Sequence, residues 1–238
     1  MLQQAPFRGF GGFVFLSLWF NSSFAQQSIR QDISLNSDWL TIASGEIDRP
    51  SDFEYMPPKI SKKWKAVNVP HNWDAYEGYR RLLHGNRHGN SWYRKTFNIK
   101  QSKSKKRFFL FFEGVGSYAT VYLNGKKVGE HAGGRTTFTL DVTHVIKTDG
   151  TTNEVAVRAS HPSKIKDLPW VCGGCSEERG FSEGSQPMGI FRPVHLVVTS
   201  DLRIEPFGVH AWADIKNGVI NLKINATLKN YSNQKRSV

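Results

Sequence analysis

Two cysteines separated by a pair of glycines are the residues of this chain best placed for covalent chemistry. Cys172 and Cys175 are the only cysteines among its 238 residues. Such a Cys-x-x-Cys pair can close a tight disulfide, stay as free thiols, supply half of a zinc site or take part in redox exchange. Zinc needs further ligands at suitable spacing, and redox activity favours a helix N-terminus, whereas Pro169 and the two glycines favour a loop. The sequence therefore predicts a structural disulfide, and the other three states stay open.

The first 25 residues have the organisation of a secretory signal. Arg8 provides a positive charge, a mainly apolar run covers residues 13–20, and Ser23 and Ala25 place small side chains before a cleavage point. The apolar run is shorter than the roughly 20 residues that cross a bilayer, so no membrane insertion is expected. A buried N-terminal strand is the alternative. We expect cleavage after Ala25 and a periplasmic or secreted product, in which a disulfide can persist.

The chain is strongly basic. Its formal net charge is +12, from 32 Lys and Arg residues against 20 Asp and Glu residues. The basic clusters, Lys62-Lys63 and Lys103 to Arg107, lie in polar turns between predicted strands. We therefore expect solvated loop charges and no nucleic-acid partner, with an acidic glycan as the alternative explanation of the charge.

Short runs of aromatic and β-branched residues dominate the chain after the signal. Tyr93, Phe97 and Ile99 alternate with polar residues, which is the period of a strand with one buried face. Asn124-Gly125 favours a type I′ turn because both residues tolerate a positive φ. Helical periodicity is nowhere sustained beyond one turn at 142–146. The pattern predicts an all-β, two-sheet jelly-roll β-sandwich, with strands at residues 67–69, 92–99, 108–112, 119–123, 137–142, 154–159 and 190–198.

A separate hairpin is predicted near the end of the chain. Residues 209–215 and 219–228 flank a turn at Lys216-Asn217-Gly218, and Ile220, Leu222 and Ile224 lie on one apolar face. A two-stranded hairpin is marginally stable in water on its own. We therefore expect residues 202–238 to be the start of a second, incomplete domain.

Four sequence motifs occur in order between residues 64 and 194. They are Trp64–Trp73 (Trp-x-x-Val-x-x-Pro-His-x-Trp), 89–97, 112–134 and Gly189–Val194. Together they resemble the N-terminal sugar-binding domain of family 2 glycoside hydrolases, which include β-galactosidases, β-glucuronidases and β-mannosidases. The resemblance implies a galactose-binding-like jelly roll over residues 26–201. It also implies that residues 202–238 begin an immunoglobulin-like sandwich, and that a catalytic (β/α)₈ barrel would follow.

The resemblance implies substrate contacts in this chain but no catalytic residue. In the family, the acid/base and the nucleophile lie on barrel strands, and no stretch here is similar to those strands. Glu183 stands six positions before Gly189, where the galactosidase branch has an Asp that helps to hold a sodium ion. The longer Glu183 could instead accept hydrogen bonds from sugar hydroxyls. A solvated loop acid is the alternative.

Three residues in the first motif and its continuation are further candidates for substrate binding. Asn72 and Asp74 could point into the same cleft as Glu183, and Trp73 between them could stack on a sugar face. The alternatives are an Asx turn and a core tryptophan. Arg192, in the closing motif, is expected to pair with a buried carboxylate such as Glu113, because a charge within a strand needs a partner.

The sequence as a whole predicts the N-terminal piece of an exported hydrolase of terminal β-linked sugars, with β-galactosides as the preferred substrates. This piece would frame and bind carbohydrate and would be inactive alone. A free-standing carbohydrate-binding module and a non-catalytic adhesion sandwich are the alternatives. No cofactor or metal is expected of this chain, and the resemblance leaves room for a sodium or magnesium ion and for oligomerisation in a longer parent.

The signal segment gives a direct test. N-terminal sequencing of exported protein should begin at Gln26, because Ser23 and Ala25 satisfy the small-residue preference of signal cleavage. Replacing Ala25 with a bulky residue (Ala25→Phe) should block processing, while Gln27→Phe beyond the cleavage point should leave it intact. Exported wild-type protein that still carries Met1 would contradict the prediction.

Overall fold

The computed structural model describes residues 30–44, 57–73, 88–162, 188–216 and 218–235. The predicted signal segment lies outside these ranges. Within them the chain forms twelve β-strands and no helix, so no helix there has the length and hydropathy to cross a membrane. The strands are β1 (Gln31–Ser34), β2 (Trp39–Ala43), β3 (Lys65–Val67), β4 (Gly89–Lys100), β5 (Lys106–Phe112), β6 (Tyr118–Leu123), β7 (Lys126–Ala132), β8 (Phe138–Asp141), β9 (Asp149–His161), β10 (Val194–Ser200), β11 (Leu202–Lys216) and β12 (Val219–Asn230).

Two antiparallel sheets form a sandwich, which confirms the predicted all-β fold. One sheet has the order β1-β10-β5-β8 and the other the order β3-β2-β4-β9-β6-β7. Side chains alternate across each strand, so β5 buries Phe108, Leu110 and Phe112 while β6 buries Val121 and Leu123 in the same core. The strands β5 and β6 are consecutive in the chain but belong to different sheets, and the turn between them carries the chain across the core.

The central strand β4 is buried on both faces. Tyr93 and Ile99 belong to the main core and Phe97 packs against it, as the alternation predicts. The opposite face of the same strand carries Trp92, which has no exposed surface and packs in a second apolar cluster with Ile42, Trp64 and Ala156. The six-stranded sheet therefore has an apolar layer on part of its outer face as well.

The predicted Asn124-Gly125 turn is confirmed. The two residues join β6 to β7 with φ angles of 52° and 77°. The Asn124 side chain also donates hydrogen bonds to the carbonyl of Val145 (3.1 Å) and to Asn153 (2.9 Å). Val145 lies in the single turn predicted at 142–146, where its N–H bonds the carbonyl of Val142. One asparagine thus supplies both the turn conformation and a link from the hairpin to its neighbours.

Several strands and one ion pair differ from the sequence-based expectations, since β2 and β7 are also outside the predicted strand ranges. The strand β1 was not predicted, because its residues are polar and mostly exposed and show no apolar alternation. The pairing of Arg192 with Glu113 is wrong: Arg192 is exposed before β10 begins, and Glu113 contacts Nε2 of His195 at 3.2 Å. Pro193 has no N–H to pair in a sheet, which places Arg192 in the preceding loop.

The predicted hairpin is confirmed and is longer than expected. The strands β11 and β12 form a separate two-stranded sheet, with a bulge between Ile204 and Val209. None of the described residues covers its apolar face, and Ile215, Ile220 and Leu222 are each about two-thirds exposed.

The root of the hairpin is fixed to the outer face of the four-stranded sheet. The Arg203 guanidinium lies 3.7 Å from the ring centroid of Phe109 and pairs with Glu205 at 3.0 Å. The Tyr231 ring also packs on Phe109, and its hydroxyl donates to Glu205 at 3.0 Å. Arg107 donates to the Tyr231 carbonyl at 2.6 Å. These contacts join the hairpin to the sandwich through one aromatic–arginine cluster.

The central residue of this cluster can be tested by substitution. Arg203→Met removes the cation–π contact with Phe109 and the ion pair with Glu205, which keeps its hydrogen bond from Tyr231, so we expect the free energy of unfolding to fall by about 2 kcal/mol. Thermal unfolding should shift to lower temperature, and limited proteolysis should cleave near residues 202–209 first. The exposed Arg135→Met is the charge-matched control. Wild-type stability and proteolysis in Arg203→Met would contradict this account of the hairpin root.

Candidate functional site

Three segments that are distant in sequence meet at one end of the sandwich. Residues 71–73 follow β3, Gly116 follows β5, and residues 188–190 precede β10. The segment 188–190 is hydrogen-bonded on both sides: Ile190 accepts from the His71 N–H (2.7 Å), Met188 accepts from Trp73 (2.9 Å), and Gly189 accepts from Gly116 (3.0 Å). Parts of three of the four sequence motifs therefore lie side by side at this end.

Gly189 makes this convergence sterically feasible. Its φ is +148°, a conformation that side chains rarely adopt. A Cβ there would lie 2.7 Å from the carbonyl oxygen of His71 and 3.0 Å from the Cα of Asn72, and would also meet the Tyr93 hydroxyl. Only glycine lets the two segments approach this closely. This explains in physical terms why the motif Gly189–Val194 begins with a glycine.

His71 links the same segment to the core. Its Nδ1 and the Tyr93 hydroxyl share a hydrogen bond of 2.8 Å. Its ring also makes edge contacts with Trp73 and Tyr93, each with centroids 5.7 Å apart. Burial, assisted by the nearby Lys65, lowers the pKa of His71 below its ordinary value. The imidazole is therefore neutral at pH 7, and its hydrogen bond with Tyr93 ties residues 71–73 to the core.

The structure places Asn72 and Trp73 at the rim of this end, both half-buried. The Trp73 indole N–H donates to Thr41 at 3.0 Å, and the Lys65 ammonium lies 4.7 Å from its ring centroid. The ring also packs against the main core. Trp73 thus has the structural role weighed as an alternative, and its contact with a sugar stays a prediction.

Asp74, Glu183, Cys172 and Cys175 lie outside the described residues. Asp74 follows Trp73 directly, and Glu183 precedes Met188 by five residues. Trp73 and Met188 hydrogen-bond each other. The two acids predicted to contact substrate are therefore attached to neighbouring anchor points, although they are over 100 residues apart in sequence.

A stacked histidine pair at the same end, in which His161 is the buried member, was missed by sequence reasoning. His161 is completely buried, its Nδ1 lies 2.8 Å from the Ser117 hydroxyl, and its ring stacks on His88 with centroids 4.9 Å apart. Burial, assisted by the neighbouring His88, lowers the pKa of His161 to about 4. Only the pairing of β4 with β9, which aligns Gly89 with His161, brings these residues together.

The histidine pair does not by itself form a metal centre. Among the described residues, no group of three or more His, Cys, Asp or Glu side chains could hold a metal ion. In that same part of the chain, His161 Nε2 and His88 Nδ1 are buried without a hydrogen-bond partner. Within the pair, His161 is therefore a neutral, acid-sensitive element of the sandwich end.

Comparisons with known proteins agree with the motifs. A family model for the sugar binding domain of glycosyl hydrolases family 2 matches residues 33–200. A β-glucuronidase of Bacteroides fragilis is 33% identical over 199 residues, which cover 84% of this chain and 25% of that protein. A β-galactosidase of Thermoanaerobacter pseudethanolicus is 32% identical over 215 residues, which cover 87% of this chain and 26% of that protein.

A solved structure shows the same fold. The crystal structure of Bacteroides uniformis β-glucuronidase matches with a TM-score of 0.65 at 24% identity, covering 84% of this chain and 22% of that one. The chain thus spans about a quarter of the length of the relatives it matches.

The pKa of His161 predicts how stability depends on pH. Its value is 6.5 in the unfolded chain and about 4 in the fold. Below pH 6.5 the unfolded state therefore binds a proton that the folded state does not bind, and the free energy of unfolding falls until the folded state is protonated near pH 4. We expect a loss of about 2 kcal/mol between pH 7 and pH 5.

Urea unfolding at the two pH values measures this loss. His161→Gln should reduce the pH dependence, whereas His144→Gln at an exposed position should preserve it. An unchanged pH dependence in His161→Gln would show that other groups determine acid stability.

Proposed function

Because this chain belongs to family 2 of the glycosyl hydrolases through its sugar-binding domain, we propose that it frames and binds the substrate of an exported β-glycoside hydrolase. The observation that carries the proposal is the convergence of residues 71–73 with residues 188–190 at one end of the sandwich. The segments that contain Asp74 and Glu183 start from these anchors. Carboxylates and aromatic rings are side-chain types suited to bind sugar hydroxyls and sugar faces.

The role proposed for this chain is binding, not bond cleavage. Retaining glycoside hydrolysis uses two carboxyl groups about 5–5.5 Å apart. Glu113, which lies in the motif at 112–134, contacts His195 at 3.2 Å. Glu154 receives two hydrogen bonds from Arg94, at 2.5 and 2.6 Å. These acids are engaged in separate structural contacts, which favours a catalytic centre in a further part of a longer parent protein.

The proposed substrates are terminal β-galactosides, as the motif resemblance predicts. A β-glucuronide is the second candidate, because one of the relatives at 33% identity is named a β-glucuronidase. The net charge of +12 is also complementary to a substrate that carries a carboxylate. The signal-like residues 1–25 support a periplasmic or secreted location for either activity.

Enzyme assays of the chain and of a longer parent test this proposal. The 238-residue chain should give only background rates with aryl β-galactoside and aryl β-glucuronide, because it is proposed to lack the catalytic pair. In the longer parent, Asp74→Asn and Glu183→Gln should each lower kcat/KM about tenfold, or ~1.4 kcal/mol, without changing Tm. Asp32→Asn, at an exposed position in β1, is the matched control.

Two results would contradict the proposal. One is turnover by the 238-residue chain that disappears when an acid within it is substituted, since the active site would then lie here. The other is full activity of both acid variants in the longer parent.

A further inference from the structure

A concave groove lies on the outer face of the six-stranded sheet, over β6, β7 and β9. Its volume is about 540 Å³, within the range of roughly 300–1,000 Å³ found for small-molecule sites. Its lining includes the polar side chains of Tyr118, Thr120, Glu130, Arg158 and Ser160. None of these residues contributes to the core or to the three converging segments.

Strand register explains how the groove forms. Ala119 and Val121 face the core, so Tyr118 and Thr120 between them face outwards. Thr120 is paired with Glu130 on one side and Arg158 on the other. Tyr118 is paired in the same way with Ala132 and Ser160. The first set forms a row with a charged residue at each end. In the second row, Tyr118 stands between the short side chains of Ala132 and Ser160, which leaves a hollow next to its ring.

The charged row is a connected hydrogen-bond chain. Arg158 donates to the Thr120 hydroxyl at 3.2 Å, and Thr120 donates to Glu130 at 3.4 Å. The Lys127 ammonium lies 2.6 Å from the Glu130 carboxylate, and this hydrogen bond lowers the pKa of Glu130. Glu130 is therefore ionised at neutral pH, and the row carries two positive charges and one negative charge.

We propose that this groove is an accessory binding site for a saccharide that contains a uronic acid. Arg158 would pair with the sugar carboxylate, since a guanidinium fork matches a planar carboxylate. Glu130 would accept hydrogen bonds from ring hydroxyls, and Tyr118 would pack against the apolar face of the ring. Thr120, whose hydroxyl already bonds both charged neighbours, would hold Arg158 and Glu130 in position.

The charge pattern favours this ligand over other anions. The ionised Glu130 in the row repels a phosphate dianion more strongly than it repels the single charge of a carboxylate. The Glu130 carboxylate can accept hydrogen bonds from several hydroxyl groups, which favours a ligand rich in hydroxyls. This site goes beyond the function proposed above, because it binds saccharide on the sheet face and needs neither Asp74 nor Glu183.

Calorimetry on the full 238-residue chain tests the proposal with a matched ligand pair. The probes are an unsulfated chondroitin hexasaccharide, which contains β-linked glucuronate, and the same hexasaccharide after reduction of its carboxyl groups. The reduced form should bind at least about tenfold more weakly. Arg158→Met and Glu130→Gln should each weaken binding of the acidic form by a similar factor. Lys103→Met, which removes a charge at the opposite end of the sandwich, should leave it unchanged.

Amide chemical-shift mapping on the wild-type chain decides the case even where Arg158→Met fails to fold. Shifts on addition of the acidic hexasaccharide should concentrate at Tyr118, Thr120, Glu130 and Ser160. Equal affinity for the two ligands, or no binding at about 10 mM, would overturn the proposal. Shifts confined to residues 71–73 and 188–190 would also overturn it, while supporting the substrate-framing role of the sandwich end.

Discussion

The close approach of Gly189 to the backbone of His71 and Asn72 is the constraint on which the organised end of the sandwich depends. Because no Cβ intervenes, the segment 188–190 can accept hydrogen bonds from residues on both of its sides. Those bonds fix Trp73 and Met188, from which the segments with the predicted substrate-binding acids begin. A larger residue at position 189 would separate the segments, and backbone groups that are now paired would lose their partners.

Local alternation made the central strands predictable, and the absence of alternation explains what was missed. The runs containing Tyr93, Leu110 and Val121 are rich in aromatic and β-branched residues and direct alternate side chains into the main core, so their strand character is visible in the sequence. The edge strand β1 has a polar, exposed sequence and lacks this signal. The assignment of β5 and β6 to different sheets also has no local signature, because strand pairing depends on contacts between distant residues. The prediction for Arg192 failed because Pro193 delays the start of β10.

The candidate sites also divide into residues that local sequence reveals and residues that only strand pairing brings together. Motif reasoning selected Asn72 and Trp73, and the structure brings their segment against the closing motif. It could not find the His88–His161 stack or the Arg158–Thr120–Glu130 row, because these arise from the registers of β4 with β9 and of β6 with β7 and β9. Residues that are 38 or 73 positions apart in the chain become neighbours only once those registers are set. A register shift of one residue would turn each of them to the opposite face.

The two faces of β9 connect the sites physically. Ser160 and His161 are consecutive, so one side chain lines the outer groove while the other is buried beside Ser117. The hydrogen bond from the Ser117 N–H to the Ser160 carbonyl, at 2.9 Å, fixes this end of β9 against the start of β6. Polar side chains on such a paired strand are held in place before a ligand arrives, which reduces the entropy lost on binding. The strands that form the core therefore also give the groove the rigidity that a weak saccharide ligand requires.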